Sequence, residues 1–345
     1  MTVSQALKAV SHGDYLSQAQ AEATLGDIVE GDPSSLQVAA LLGALRARGE
    51  TADEITGFVR ALHARVVPVT AQSGDLIDTC GTGGDSPKRL LGTFNISTAA
   101  SLVAAAAGAR IAKHGNRAVS SKCGSADVLE ALGVHLNLTP EAIGRCIDEI
   151  GIGFMFAPNH HPALKTIGPL RRELGIRTIF NLAAPLANPA STKRQVMGVP
   201  AAKWLQPVAQ TLLELGCTRA FVAHSEDGLD EFSTCAPTHY IEVRDGALHE
   251  GTFDPDAGGV SCINTKLLQG GDAQENAVII QQVLHDGEGP SADITCLNAA
   301  AILIVADIVP DFAEGIRLAR ATIRAGAARE KLQRLREFTT LWAND

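Results

Sequence analysis

Apolar residues recur at helical spacing through the first part of the chain. Leu25, Ile28 and Val29 mark one face, Leu36, Val38, Ala39, Leu41, Leu42 and Leu45 a second, and Ile55, Phe58, Val59 and Leu62 a third. Asp32-Pro33 and Gly49-Glu50 punctuate these runs, which predicts short amphipathic helices over residues 4–69 with no chemical constellation of their own: a packing block. From Asp75 the pattern changes. Leu76 to Cys80 reads as a strand, Gly81, Gly83 and Gly84 as a turn, and an alanine-rich stretch as a helix opening at Ser97 or Thr98 and stopping at Gly108. A second strand over Arg110 to Lys113 leads through a polar loop to a helix near Ser125. Pro140 to Ile150 follows as an amphipathic helix and Ile152 to Phe156 as a short strand. Lys193 to Leu215 reads as helix-rich, with Val208, Leu212, Leu213 and Leu215 apolar, and Arg219 to His224 as a buried strand. Tyr240 to Val243 and Ala247 to Glu250 alternate around Asp245-Gly246 as a hairpin, and Cys296 to Ile308 and Phe312 to Gly326 read as closing helices. Strands interleaved with helices in this way predict an α/β class and a mostly parallel sheet.

Two loops at neighbouring strand ends carry the densest chemistry. Glycines let backbone N–H groups approach an oxyanion closely, and the start of a helix just downstream adds unpaired donors. Gly81, Thr82, Gly83, Gly84 and Asp85 form the first such loop, with Asn95, Ser97 and Thr98 at the helix start. A capped strand-to-helix turn gives the same pattern when it stands alone. The second loop adds Lys113, His114, Asn116, Arg117, Ser120, Ser121 and Lys122, with Cys123 beside them, at another strand end, where open α/β sheets bind ligands. Farther on, Asp230 and Glu231 lie just past a strand end, where oxygen ligands suit Mg²⁺; adjacent loop acids are also an ordinary solvated surface. On their own, His160 and His161 read as surface imidazoles at a helix start, and Arg171 and Arg172 as a solvated basic turn.

Composition narrows the classes. The 345 residues carry a formal net charge of −9, with 46% hydrophobic and 19% charged, so a large core is within reach and no overall basic footprint for nucleic acid exists. Seven cysteines are scattered with no CxxC, which argues for reduced thiols in cytosol and against a zinc site. The N-terminal stretch lacks a signal-peptide apolar core and no run reaches membrane-spanning length, so a cytoplasmic protein without membrane contact is expected.

The residues DTCGTGGD, TFNIST and KHGNRAVSSKCGSADVLEALG, followed by HHPALKTIGPLRRELGIRTIFN, HSEDGLDE, LLQGGDAQENA and DITCLNAAAIL, resemble the anthranilate phosphoribosyltransferase family in that family's order over nearly the whole chain. The resemblance implies a small helical domain (1–69) with a crossover segment around 171–190 packing on it, a large α/β domain (70–345) of the nucleoside phosphorylase kind, and a homodimer through the helical domain. It implies transfer of the 5-phosphoribosyl group of PRPP to the amine of anthranilate, the second step of tryptophan biosynthesis from chorismate. By the same resemblance Gly81, Thr82, Gly83, Gly84, Asp85, Asn95, Ser97, Thr98, Lys113, Ser121 and Cys123 hold PRPP. Gly81, Asn116, His161, Arg171 and Ala184 meet anthranilate, with Asn116, His161 and Arg171 as positioners. Ser97, Asp230 and Glu231 bind two Mg²⁺ ions.

Three departures from the family pattern stand out: Ala184 for a usual glycine, Ser225 for another, and a longer loop Ser86–Gly92 that either covers substrate or bulges into solvent. They leave room for a different aromatic acceptor. A pyrimidine nucleoside phosphorylase, or a non-enzymatic nucleic-acid-binding paralogue, is disfavoured by HGNR together with GLDE and by the net charge.

Overall fold

Five parallel strands and an antiparallel hairpin build one sheet in the order β3-β2-β1-β4-β5-β6-β7. The computed structural model describes residues 1–72, 74–83, 92–118, 122–260, 262 and 264–343. Four helices come first: α1 (Val3–Ser11), α2 (Gln18–Glu30), α3 (Ser35–Arg48) and α4 (Ala52–His63). Then come β1 (Ile77–Asp78), α5 (Ile96–Ala106), β2 (Ile111–Gly115), α6 (Ser125–Ala131), α7 (Pro140–Ile150), β3 (Ile152–Phe156), α8 (Ala157–His160), α9 (Pro162–Leu174) and α10 (Phe180–Leu186). The chain continues through β4 (Arg194–Gly198), α11 (Leu205–Glu214), β5 (Arg219–Ser225), β6 (Thr238–Arg244), β7 (Ala247–Phe253), α12 (Ala273–Asp286), α13 (Pro290–Val305), α14 (Phe312–Arg324) and α15 (Ala327–Trp342).

The helical unit is built from strong local signals. Thr2 with Gln5, Ser17 with Gln20, and Thr51 with Glu54 form reciprocal capping boxes at α1, α2 and α4, each satisfying two otherwise orphaned N–H groups. Glu54 is fully buried, but its carboxylate accepts from Arg48 and from the backbone of Leu16 and Thr51. A buried charge needs such partners. Of the expected apolar faces, Leu36 alone departs strongly: it is 80% exposed, because Leu41, Leu42 and Leu45 fill the inward stripe of α3.

Alternate residues of the central strands feed two cores. In β5, Phe221 and Ala223 join α5, α13 and α14 on one face, while Ala220 and Val222 join the helical unit on the other. The second core also takes in Ala163 and Ile167 of α9 and Phe180, Leu182 and Leu186 of α10, so the chain passes between the helical unit and the sheet three times. The three passages lie side by side. Val67 and His160 exchange backbone and ring hydrogen bonds (2.8 and 3.0 Å), and Val69 donates to the Pro189 carbonyl at 3.1 Å.

The structure departs from the sequence reading most clearly at two elements. Arg194–Gly198, expected in a helix-rich stretch, is the central strand β4, paired in parallel to both β1 and β5. Its polar Gln195 masks the strand signal, but that side chain is buried and donates to the carbonyls of Cys80 and Pro185. Helix α15 was not read at all; its charged sequence hides a narrow stripe of Leu332, Leu335 and Phe338 that packs on the first core.

Candidate functional site

The strand order reverses between β1 and β4. From β1 the sheet grows outward through β2 and β3, then resumes on the other side with β4 and β5, which leaves a crevice at the carboxyl ends of β1 and β4. Thr79, Gly81, Ser97, Gly198, Asp230, Glu231 and Asn298 line a cavity there.

Close backbone approach shapes this crevice. Thr82 donates its backbone N–H and its hydroxyl to the Gly198 carbonyl, each at 3.0 Å, which fastens the glycine turn to the end of β4. Gly198 must be glycine: a Cβ there would stand 1.4 Å from the Asp230 carbonyl oxygen. Asp230 and Glu231 are held from behind, since Asn298 of α13 accepts from Phe232 N–H (3.0 Å) and donates to the Phe232 carbonyl (2.9 Å). Ser233 anchors the same loop by donating to Asp227 at 2.6 Å. Asp230 is buried and Glu231 partly so.

Lys113 closes the floor. Its buried ammonium donates to the Thr79 carbonyl (2.9 Å), the Thr79 hydroxyl (3.1 Å) and Ser97 Oγ (3.3 Å). Burial pushes its pKa down, while Cys80, Asp78 and Glu231 pull it back up. Two hydroxyls and two acids thus face one space with the buried Lys113 cation directly behind the hydroxyls, which suits a ligand carrying several negative oxygens together with a metal. Among the described residues, no group of three or more His, Cys, Asp or Glu could hold a metal by itself. A two-acid site fits Mg²⁺, which takes few carboxylates and completes its shell with water and substrate phosphates.

Asn95 and Cys123 meet between the two loops: Asn95 Nδ2 donates to the Cys123 carbonyl and the Cys123 thiol donates to Asn95 Oδ1, both at 3.3 Å. Thr98 Oγ1, at the start of α5, is buried with no hydrogen-bond partner among the described residues. Asn116 is exposed and its Oδ1 accepts from Arg117 N–H at 2.7 Å, so its amide turns back on its own loop. Gly83 adopts a left-handed φ of +62°. Gly84, Asp85, Ser121 and the loop from Ser86 to Leu91 lie outside the described residues.

A histidine group flanks the crevice. His114 is buried, with Nδ1 at 3.0 Å from Asp78 Oδ2 and Nε2 at 3.2 Å from the Ala184 carbonyl. Burial works against its charge, but Cys80 and Asp78 carry its pKa well above the ordinary imidazole value. The His161 ring lies 5.9 Å from it, buried and with both nitrogens unpartnered among the described residues. Burial, then the charges of His114, His160 and His63, push His161 down to about 3. Arg171 lies 5.5 Å over Phe180, and Arg177 donates to the Thr82 carbonyl at 3.0 Å within the field of Asp230.

The depressed His161 pKa has a consequence for stability. An unfolded chain takes up a proton near pH 6.5, whereas folded His161 resists until about pH 3, so its contribution is present above pH 6.5 and is lost as pH falls toward 3. Replacing His161 by Phe should flatten the fall in thermal midpoint between pH 7 and pH 5. His114 has the opposite sign: its contribution is present below pH 6.5 and is lost as pH rises through its raised value. Melting curves across that range check the difference; parallel profiles would sink it.

Several residues here escaped the sequence reading. Asn298 sits in LNAAAIL, where a lone amide inside an apolar helix is the signal of a buried, fully bonded group. Arg177 carries no local cue to its contact with the Thr82 carbonyl. The departures resolve in part: Ser225 is buried and donates to the Pro237 carbonyl at 3.2 Å, and Ala184 contributes its carbonyl to His114. None of the seven cysteines is joined in a disulfide.

Comparison with known proteins agrees with this architecture. Residues 73–329 match the α/β domain of a glycosyl transferase family and residues 4–66 its helical bundle domain. Anthranilate phosphoribosyltransferases of Thioalkalivibrio sulfidiphilus (98% of this chain, 99% of the relative) and Symbiobacterium thermophilum (96% of each) are both 48% identical. The solved enzyme of Thermus thermophilus superimposes with a TM-score of 0.90 at 40% identity, covering 97% of this chain and 99% of that one. The Saccharomyces cerevisiae enzyme, solved in complex with PRPP and Mg, shares the fold at 24% identity, with a TM-score of 0.88 over 98% of each chain. With both domain models matched in order and relatives nearly half identical from end to end, this chain belongs to the anthranilate phosphoribosyltransferase family.

Proposed function

We propose that this chain transfers the 5-phosphoribosyl group of PRPP to the amine of anthranilate, releasing pyrophosphate, in tryptophan biosynthesis. The observation that carries this reading is the convergence of Lys113, Ser97 and the Asp230-Glu231 pair on one crevice at the point where the strand order reverses.

The reaction breaks the C1–O bond to pyrophosphate and forms a C1–N bond, and the amine gives up one proton. Two magnesium ions, one at Asp230 and Glu231 and one at Ser97, would neutralise the charge that builds on the departing oxygens. The chain itself orients. Gly81, Thr82, Gly83, Gly84 and Asp85, with the open start of α5 at Asn95, Ser97 and Thr98 and the second loop at Lys113, Ser121 and Cys123, hold the phosphates. Arg171 suits the anthranilate carboxylate because its fork donates two parallel bonds. His161, neutral and weakly basic at physiological pH, serves as a hydrogen-bonding wall beside Asn116 and Ala184 rather than as a strong base. The amine is already nucleophilic when neutral, so alignment is the main task.

A homodimer through α1–α4 belongs to the same reading, supported by the exposure of Tyr15 and Leu36 on that unit. No described helix is long and apolar enough to cross a membrane, and nucleic acid is not among the proposed partners.

The test is loss of anthranilate fluorescence on adding purified protein, PRPP and Mg²⁺. PRPP-dependent loss that stops on chelating the metal is expected. A folded protein that binds PRPP but leaves anthranilate untouched would overturn the acceptor and turn attention to other aromatic amines.

A further inference from the structure

We propose that Asn276, on the first turns of α12, is a positioning residue that keeps the start of α5 open for the substrate's phosphates by holding the Asn95 amide in one orientation. The inference rests on the functional reading above.

The chain of donors and acceptors starts from a group that cannot be turned round. The backbone N–H of Gly271 donates to Asn276 Oδ1 at 2.7 Å. That bond fixes the Asn276 amide, so its Nδ2 faces Asn95 and donates to Asn95 Oδ1 at 2.9 Å. Asn95 Oδ1 also receives the Cys123 thiol, and its own Nδ2 must then face the second loop, where it donates to the Cys123 carbonyl. Asn276 is 1% exposed, so water does not compete for these bonds.

This arrangement overrides what an asparagine normally does at that position. Asn95 is the N-cap of α5, where its side-chain oxygen ordinarily accepts from the helix's first free N–H groups; here it makes no such bond. The oxygen is already taken. Among the described residues the helix start is therefore left without a side-chain cap from Asn95, beside the buried Thr98 hydroxyl, which has no partner among them, and next to Ser97 and Lys113. The support beneath is close-fitting. Gly270 donates to the Gly92 carbonyl, Phe94 donates to the Leu268 carbonyl, and a Cβ on Gly270 would lie 2.6 Å from both Phe94 N and Asn276 Oδ1.

The discriminating variant is Asn276→Asp. It keeps the acceptor for Gly271 and so keeps the turn, but it loses the donor to Asn95, whose amide then rotates toward the new carboxylate and leaves the Cys123 carbonyl. KM for PRPP should rise about tenfold, with kcat and the KM for anthranilate within about twofold of the parent. Asn276→Ser, which is too short to reach Asn95, should give the same split and carries the test if the Asp variant does not fold. Adding Asn95→Ala should cost clearly less in the Asn276→Asp background than in the parent, as coupled groups do. Unchanged KM for PRPP in a folded variant, or additive effects in the double variant, would overturn the inference while the parent still turns over. A folded parent that neither binds PRPP nor consumes anthranilate would overturn the functional reading, and this inference with it.

Discussion

Replacing Asp230 by Asn and Glu231 by Gln together is expected to lower kcat about 10³-fold while leaving the protein folded. The amides match the carboxylates in size, so the packing of this loop survives. Its anchors lie elsewhere, in the Asn298 clamp on Phe232 and the Ser233 bond to Asp227. What is lost is two negative charges facing Ser97 and Lys113 across the crevice, and with them the means of holding a divalent cation against the pyrophosphate. Arg177, whose charge is supported by Asp230, loses that support as well. Steady-state rates at saturating PRPP and magnesium, with a melting curve for each protein, make the measurement. A kcat within tenfold of the parent would remove the acid pair from the mechanism.

Gly198→Ala should be nearly as damaging, by a different route. A methyl group 1.4 Å from the Asp230 carbonyl oxygen and 2.2 Å from its carbon cannot be accommodated by a side-chain rotation, because both partners are backbone. Either β4 moves away from the Thr82 bonds or the acid pair moves away from the crevice. A displacement of that kind costs roughly 100-fold in kcat/KM, and overpacking costs about 1–3 kcal/mol of stability. Ala220, on the neighbouring strand β5, already carries its methyl group in the second core away from the crevice, so Ala220→Gly at a similar depth is the control. It should lose stability without a comparable loss of rate. Equal activity of Gly198→Ala and the parent would show that the crevice tolerates movement of Asp230.

Much of this was legible in the sequence wherever a local rule acted alone. Apolar faces punctuated by Asp32-Pro33 and Gly49-Glu50 mark α2, α3 and α4, Asp245-Gly246 marks the hairpin, and the glycine turn before an alanine-rich run marks β1 and α5. Strand β4 was missed because its strand character depends on what lies on either side. Gln195 looks like a surface residue until the Cys80 and Pro185 carbonyls are placed beside it. The site divides in the same way. Lys113 and the acid pair stood out as charges at strand ends, whereas Asn298, Asn276 and Arg177 act through partners 66, 181 and 95 positions away, a distance at which no spacing rule operates.

The three passages of chain between the helical unit and the sheet have a mechanical meaning. A body tethered by one strand of chain can swivel freely, but here Val67, His160, Val69 and Pro189 bind the three tethers into a single strap. A strap of that kind resists twist and sideways slip. Arg171 and Arg177 are carried on the returning segment, so the same strap fixes where both guanidinium groups sit relative to the crevice, with Arg177 donating to the Thr82 carbonyl at its rim.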